Sequence, residues 1–137
     1  DAQHLAGELI GRFKDDRKPL KSIALNSDSA VMTCIVNDYG YEKIFSRQIL
    51  ALGEEGDILV GISTSGLSGN VNDALKVARK KQLFTVGFLG KSGGDAAMLV
   101  DHAIVIPSQS TARIQEMHIT IGHILCELIE NGLGVAR

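Results

Sequence analysis

The sequence has no tryptophan, only two cysteines, and few aromatic residues, which make up 4% of its 137 positions. Cys34 and Cys126 are too few for a disulfide framework, and neither belongs to a C-x-x-C pair. We therefore interpret both as reduced thiols and expect a cytoplasmic protein. No apolar run approaches the length of about 20 residues that a membrane-spanning helix needs, so we expect no membrane association.

An excess of positive charge is also missing. The chain carries 14 Lys and Arg against 16 Asp and Glu, for a net charge of −2. Non-specific binding to nucleic acid depends on a basic surface, so we expect no nucleic-acid partner. Abundant features are 15 glycines and 45% apolar residues, a composition typical of a single α/β domain with a buried core.

The pattern of apolar residues predicts strands that alternate with helices along the chain. The expected strands cover residues 22–25, 57–62, 84–89 and 102–106. The expected helices cover residues 2–13, 30–36 (capped by Asp28), 42–52, 71–81, 96–99 and 111–130. This order predicts an α/β fold in which helices cover both faces of a parallel sheet, a three-layer αβα sandwich. Ligands of such sheets bind outside the carboxyl ends of the strands.

One loop at such a strand end is rich in hydroxyl groups and glycine. It contains Ser63, Thr64, Ser65 and Ser68, and we call residues 63–69 the serine loop. Backbone N–H groups, hydroxyls and the start of the next helix together favour a phosphate group. The same residues are also typical of an ordinary turn in which Ser68 or Asn70 caps the helix. The loop matches neither the P-loop nor the G-x-G-x-x-G dinucleotide motif.

Polar residues recur at four-residue spacing in the first predicted helix. His4, Glu8 and Arg12 would lie along one stripe of that helix. A histidine and a glutamate at this spacing can hold a metal ion or flank a reacting carbon, and an arginine one turn on can hold an anion. The alternative is a solvated ion pair that contributes about 0.2–0.5 kcal/mol.

The last predicted helix carries three further candidates. Gln115 and His123 are about 80° apart in projection, so both can face one ligand beside the helix. His118 lies about 140° from His123, so the two histidines cannot share one narrow face. One of them is therefore expected to have a structural role or to lie at a subunit contact.

Four blocks of residues together resemble the phosphoheptose isomerases, a family with the sugar-isomerase (SIS) fold. The blocks are DAQHLAGEL with GRF in residues 1–13, NDYG in 37–40, GISTSGLS in 61–68, and ARIQEMH in 112–118 with His123 beyond. The resemblance implies one SIS domain over residues 1–137 with a flavodoxin-like or Rossmann-like sheet. In such isomerases a helix, the first strand and a glycine-rich loop precede the DAQH block, so we expect the domain to be incomplete at its N-terminus.

The resemblance also implies a role for individual residues. The implied phosphate and substrate contacts are Ser63, Thr64, Ser65, Ser68, Arg12, Asp28 and Gln115. The implied ligands of one zinc ion per subunit are His4, Glu8, Gln115 and His123. Glu8 and His123 would form the acid–base pair. Some members have an acidic residue at the position of Ala112. If that carboxylate takes part in catalysis, Thr111 or a water would have to substitute for it here.

The activity implied by the resemblance is the isomerisation of sedoheptulose 7-phosphate to D-glycero-D-manno-heptose 7-phosphate, by a homotetramer that serves ADP- or GDP-heptose biosynthesis. The alternative is a non-catalytic SIS protein that binds a sugar phosphate or the bacterial replication initiator. The initiator-binding relative is similar in ARIQEMH and in residues 125–129, but it lacks the glutamate and the second histidine of the active site. Glu8 and His123 are both present here, which favours the enzyme.

Overall fold

A three-stranded parallel sheet forms the centre of the molecule in the computed structural model, which describes residues 1–134. Its strands are β1 (Ile58–Ser63), β2 (Phe84–Gly90) and β3 (His102–Ile106), and β2 lies between the other two. Each strand begins and ends within one residue of its predicted bounds. The predicted parallel sheet and α/β class are confirmed.

In the part of the chain that the structure describes, five α-helices surround the sheet. They are α1 (Ala2–Ile10), α2 (Ser29–Tyr39), α3 (Ser46–Leu52), α4 (Gly69–Lys80) and α5 (Thr111–Gly132). The single helix predicted over 42–52 is divided into a 3-10 turn at Tyr41–Lys43 and α3, and the helix predicted over 96–99 is a 3-10 turn at Asp95–Met98. Within the described residues, no helix combines the length and apolar character needed to cross a bilayer.

Successive residues of β2 show that helices cover both faces of the sheet. Leu89 packs with Leu75 of α4 in one buried cluster. Its neighbour Phe88 points to the opposite face, where its ring meets that of His118 in α5 at 5.8 Å. Helices α4 and α5 therefore lie on opposite sides of the sheet, which confirms the three-layer sandwich.

Two predictions of local structure are wrong. Residues 22–25 form no strand, and Ile23 is 63% exposed. An apolar run becomes a strand only where a neighbouring chain pairs its backbone, and the structure pairs no described strand with this segment. Helix α1 ends at Ile10 rather than at residue 13, so Arg12 lies beyond the helix and off the stripe of His4 and Glu8.

The carboxyl ends of all three strands meet at one edge of the sheet, because the strands are parallel. Helix α4 begins there at Gly69, the last residue of the serine loop, and α5 begins there at Thr111. The fold thus places the serine loop and the first turns of α4 and α5 at the edge where α/β proteins bind ligands.

A buried threonine and a carboxylate join the start of β2 to the start of β3. The backbone N–H and hydroxyl of Thr85 each donate a hydrogen bond of 2.8 Å to Asp101 Oδ2, and the Asp101 N–H donates to the Thr85 hydroxyl at 2.9 Å. The hydrogen bonds from Thr85 lower the pKa of Asp101 below its ordinary value. A carboxyl whose pKa is lower in the folded state stabilises the fold only while it is ionised.

We therefore expect Asp101→Asn to lower the free energy of unfolding at pH 7 but to have a smaller effect in acid. The contribution of Asp101 is complete above the unfolded pKa of about 3.9 and disappears as the pH falls through the folded pKa. Urea denaturation at pH 7, 5 and 3 measures the difference from wild type. Asp16→Asn is the control, since Asp16 is exposed and has no partner among residues 1–134. An equal difference at pH 7 and pH 3 contradicts the prediction.

Candidate functional site

The serine loop is held in a tight turn by its own hydroxyl groups. Ser63, the last residue of β1, is buried, and its hydroxyl accepts the N–H of Gly66 at 3.0 Å. The same hydroxyl is hydrogen-bonded to Ser68 Oγ at 3.1 Å. Ser65 Oγ accepts the N–H of Leu67 at 3.1 Å. Local hydrogen bonds therefore fix the positions of three of the four hydroxyl residues before any ligand binds.

A second loop supports the serine loop from outside. The Gly66 carbonyl accepts the N–H of Ala96 at 3.0 Å, just beyond the glycine pair Gly93 and Gly94. Gly66 has a φ of +68°, and a Cβ atom placed there would lie 1.8 Å from the carbonyl oxygen of Gly93. Both the backbone conformation and the space at this contact therefore require glycine at position 66.

The first turn of α4 leaves hydrogen-bond donors free. Ser68 occupies the N-cap position, but its side chain makes no capping hydrogen bond. Asn70 Oδ1 accepts the N–H of Val71 at 2.9 Å, whereas the amides of Gly69 and Asn70 make no hydrogen bond with any described residue. Free amides at a helix start, beside hydroxyls, are suited to an anion. The capping alternative for Ser68 is not observed.

A cavity of about 440 Å³ lies between the serine loop, the start of α1 and the first turns of α5. Among its lining residues are Ser63, Thr64, Ser68, Gln115 and His118. Its volume falls in the range of about 300–1,000 Å³ that is usual for small-molecule sites. The fold therefore brings Gln115 to the same space as the candidate phosphate ligands.

His4 and Glu8 of α1 meet His123 of α5 in a second cluster. His4 Nε2 lies 3.1 Å from Glu8 Oε1 and 3.3 Å from His123 Nε2, although the two histidines are 119 residues apart. The potential ligand atoms of all three side chains lie within 4.8 Å of one another. The contact between His4 and Glu8 is the one expected for side chains at positions i and i+4 of a helix.

The donor atoms of this cluster fit a zinc ion. Zinc binds histidine nitrogen at about 2.0–2.1 Å, so two ligand atoms of a tetrahedral site are about 3.3 Å apart. The His4–His123 separation of 3.3 Å matches this spacing. Two histidines and one glutamate also match the three protein ligands that catalytic zinc sites use.

Comparison with known proteins shows which family the chain is similar to. The sequence model of the SIS domain family matches residues 1–90. The chain is 56% identical over 130 residues to the phosphoheptose isomerase of Nitratiruptor sp., covering 95% of this chain and 70% of that protein. It is 53% identical over 133 residues to that of Maridesulfovibrio salexigens, covering 97% and 65%. The phosphoheptose isomerase structure from Neisseria gonorrhoeae superposes with a TM-score of 0.90 at 42% identity, covering 96% of this chain and 70% of that one.

The chain belongs to the phosphoheptose isomerase family. The structure of the Francisella tularensis phosphoheptose isomerase agrees, with a TM-score of 0.91 at 39% identity over 95% of this chain and 70% of that one. The chain spans 65% to 70% of the length of these relatives.

A close crossing of α1 and α5 brings His4 and His123 together in this member of the family. Gly122 is buried where α5 crosses α1, and a Cβ atom there would lie 2.6 Å from Leu5 Cδ2. The absence of a side chain therefore lets α1 approach α5 and places His4 beside His123. The ring of Phe13 stacks on His123, with 5.4 Å between ring centroids and an interplanar angle of 24°. Sequence reasoning missed both Gly122 and Phe13, although Gly122 directly precedes His123.

The remaining candidates lie outside the cluster. Gln115 is eight residues from His123, a rise of about 12 Å along α5. No hydrogen bond joins it to the cluster within residues 1–134, and its role as a fourth metal ligand stays a prediction. Arg12 is exposed and pairs with no described residue. Asp28 caps α2, as predicted, by accepting the N–H groups of Ala30 and Val31 at 2.9 and 3.0 Å.

His118 has the structural role that was expected for one of the two α5 histidines. Its side chain is 1% exposed, and its Nε2 lies 2.9 Å from the Leu89 carbonyl oxygen. The hydrogen bond joins α5 to the middle strand and orients the first half of the helix over the sheet.

Removing the Ser63 hydroxyl is expected to destabilise the serine loop. In Ser63→Ala the buried N–H of Gly66 loses its acceptor, which costs about 1–3 kcal/mol of unfolding free energy. Inorganic phosphate should bind more weakly, since Ser68 also loses its partner. Urea denaturation and an NMR phosphate titration measure the two effects. The control for stability is Ser65→Ala, because Ser65 accepts an exposed N–H. Equal losses of stability in the two variants would contradict the prediction.

Proposed function

We propose that this chain carries the active site of a sedoheptulose 7-phosphate isomerase, which forms D-glycero-D-manno-heptose 7-phosphate. The observation that supports it best is the convergence of His4, Glu8 and His123, in a member of the phosphoheptose isomerase family, from helices at opposite ends of the chain. Aldose–ketose isomerisation moves one proton between neighbouring carbons, and it needs a carboxylate or imidazole close to both of them.

The phosphate of the substrate would bind at the serine loop. The hydroxyls of Ser63, Thr64, Ser65 and Ser68 and the free amides of Gly69 and Asn70 are the proposed donors. Each is a neutral donor, and the start of α4 adds the positive end of the helix dipole. Binding the phosphate fixes one end of the seven-carbon chain, so that the carbonyl end is held against the acid–base groups. Arg12, Asp28 and Gln115 are proposed as further contacts to the sugar.

In the proposed mechanism, Glu8 takes the proton from C1 of the ketose. The electron pair of the broken C–H bond forms the C1–C2 double bond of an enediol, and the carbonyl oxygen on C2 receives a proton from His123. Glu8 then returns its proton to C2, while the hydroxyl on C1 loses its proton to His123 and becomes the aldehyde. The overall reaction consumes no proton, and each group ends in its starting state. One well-placed acid or base contributes about 10²–10⁴-fold to the rate.

His4, Glu8 and His123 would hold the proposed zinc ion, with Gln115 as a further predicted ligand. Glu8 and His123 would have to be free of the metal while they transfer protons, because a metal-bound carboxylate or imidazole is a poor base or acid. A zinc ion supplies polarisation of the substrate carbonyl, which makes the neighbouring C–H more acidic. Within this chain, His4 has no proposed proton-transfer role. Its contribution is to bind the metal and to orient Glu8 through their 3.1 Å contact.

Removing metal is expected to abolish isomerase activity. The full-length protein is incubated with sedoheptulose 7-phosphate before and after dialysis against a chelator, and the heptose product is measured. We expect loss of turnover after chelation and recovery with added zinc, and the control is the chelator already saturated with zinc. Sugar-phosphate binding without any isomer product would instead support the non-catalytic alternative. Full activity after complete metal removal would contradict the zinc assignment.

We also propose a homotetramer in the cytoplasm. Helix α5 exposes Met117, Ile124 and Leu128, three apolar residues at spacings of seven and four that form one stripe. Exposed apolar stripes of this kind are typical of protein–protein contacts. Cys34 and Cys126 are both free thiols, in keeping with a reducing compartment. Light scattering on the full-length protein measures the number of subunits.

A further inference from the structure

A buried carboxylate near the end of α5 holds the segment that follows α1. The oxygens of Glu130 accept hydrogen bonds from three successive backbone amides, those of Phe13, Lys14 and Asp15, at 3.1, 3.1 and 3.3 Å. The same carboxylate pairs with Arg17 Nε at 3.0 Å, and the two side chains are 2% and 3% exposed. We call Glu130, Arg17 and these three amides the Glu130 clamp.

One arm of the Glu130 clamp reaches the backbone of the proposed base. The Arg17 guanidinium donates to the carbonyl of Glu8 at 2.7 Å and to that of Leu9 at 2.9 Å. These carbonyls belong to the last turn of α1, where no helical N–H is available to them. Arg17 therefore ends α1 and fixes the backbone from which the Glu8 side chain projects.

The other arm reaches the proposed acid. The Phe13 amide is bound to Glu130 while the Phe13 ring stacks on His123. Glu130 and His123 lie seven residues apart on α5, a distance of about 10 Å along the helix. The Glu130 clamp therefore links α5 to both proposed acid–base residues. It reaches the backbone of Glu8 through Arg17, and it reaches the ring of His123 through Phe13.

The charge of Glu130 strengthens these contacts. Burial alone would raise its pKa, but the hydrogen bonds from the three amides and from Arg17 outweigh burial, so the pKa lies below its ordinary value. The group is thus a carboxylate at neutral pH, and hydrogen bonds to an ionised acceptor are shorter and stronger than those to a neutral one. A glutamine at this position would replace one carboxylate oxygen with an NH₂ group. That group is itself a donor, so it could not accept the hydrogen bonds from the backbone amides or from Arg17.

We infer that Glu130 and Arg17 are positioning residues, which hold Glu8 and His123 at the separation that metal binding and proton transfer require. This inference rests on the proposed function for its kinetic consequence, but not for its effect on metal binding. A displacement of about 1 Å in a catalytic group can cost about 10²-fold in rate. Mutating a residue that orients a metal ligand typically weakens metal binding by about 10–100-fold.

The test compares Glu130→Gln with Glu127→Gln in the full-length protein. Glu127 lies on the same helix and also pairs with this segment, through Lys14 Nζ at 2.9 Å, but the Lys14 and Glu127 side chains are 50% and 36% exposed rather than buried. For Glu130→Gln we expect zinc to bind about tenfold more weakly in competition with a chromogenic chelator. We also expect kcat to fall about 10–100-fold with KM within about twofold, because the serine loop is not altered. Glu127→Gln should match wild type in every measurement.

A second variant, Phe13→Leu, removes the stacked ring but leaves the amide bound to Glu130. We expect the His123 ring protons to shift in the NMR spectrum and zinc to bind several-fold more weakly. Unchanged zinc affinity and unchanged His123 resonances in this variant, or in folded Glu130→Gln, overturn the inference. A wild-type protein without isomerase activity contradicts only the proposed function, since zinc affinity and NMR shifts do not depend on turnover.

Discussion

Replacing Glu8 with glutamine is expected to lower kcat by about 10²–10⁴-fold while the protein remains folded. Glutamine has nearly the same shape and can still make the hydrogen bond to His4, but it cannot accept and return a proton. The Glu8 side chain is 21% exposed, and among residues 1–134 its one polar side-chain partner is His4, so we do not expect the fold to depend on its charge. Steady-state kinetics and circular dichroism measure the two parts of this prediction.

The zinc content of the Glu8→Gln variant separates the two roles assigned to Glu8. Retained zinc with lost turnover identifies Glu8 as the base, whereas loss of both identifies it as an essential metal ligand. The matched control is Glu55→Gln, the same substitution at an exposed position between α3 and β1. Turnover within tenfold of wild type would remove Glu8 from the mechanism.

Replacing Gly66 with alanine is expected to reduce kcat/KM by at least about 100-fold and to destabilise the protein. The added Cβ atom would lie 1.8 Å from the Gly93 carbonyl oxygen and 2.9 Å from the Gly94 nitrogen, so one of the two loops must move. Because Ser63 and Ser68 are tied to this turn, the proposed phosphate donors would move with it. A positive φ at alanine adds a strain of about 1–2 kcal/mol.

Gly56→Ala is the matched control for Gly66→Ala. Gly56 has a φ of +87°, but a Cβ atom there would have no neighbour within 4 Å. Both substitutions place alanine in the left-handed region, so the difference between them measures the contact with the Gly93 loop alone. Urea denaturation, kcat/KM and the affinity for inorganic phosphate are compared. Equal effects of the two substitutions would show that the loop contact does not matter.

The strands could be predicted from sequence because each is a short apolar run between glycine-rich or charged turns. This local pattern predicted both ends of β3 correctly, and it predicted the ends of β1 and β2 to within one residue. The same pattern failed at residues 22–25, since pairing with a neighbouring strand is not a property of the segment itself. The end of α1 failed for a similar reason. Phe13 fits a helical periodicity, but its amide is bound by Glu130, which lies 117 residues away.

The candidate site shows the same division between local and distant information. The spacing of His4 and Glu8 predicted their contact, because it depends only on helix geometry. Their meeting with His123 depends on how closely α1 and α5 pack at Gly122, which no periodicity within either helix encodes. Resemblance to the family supplied that pairing. Neither source of information pointed to Arg17 and Glu130, because a buried ion pair has no sequence pattern of its own.

The cluster of His4, Glu8 and His123 joins the first helix to the last, and this has a consequence for folding. An ion bound there would close a loop of 119 residues and would bind only to chains in which both helices have docked. Zinc at a free concentration 100 times its dissociation constant would raise the free energy of unfolding by about 2.7 kcal/mol through mass action. The bound ion would then also act as a cross-link that keeps α1 and α5 docked against each other.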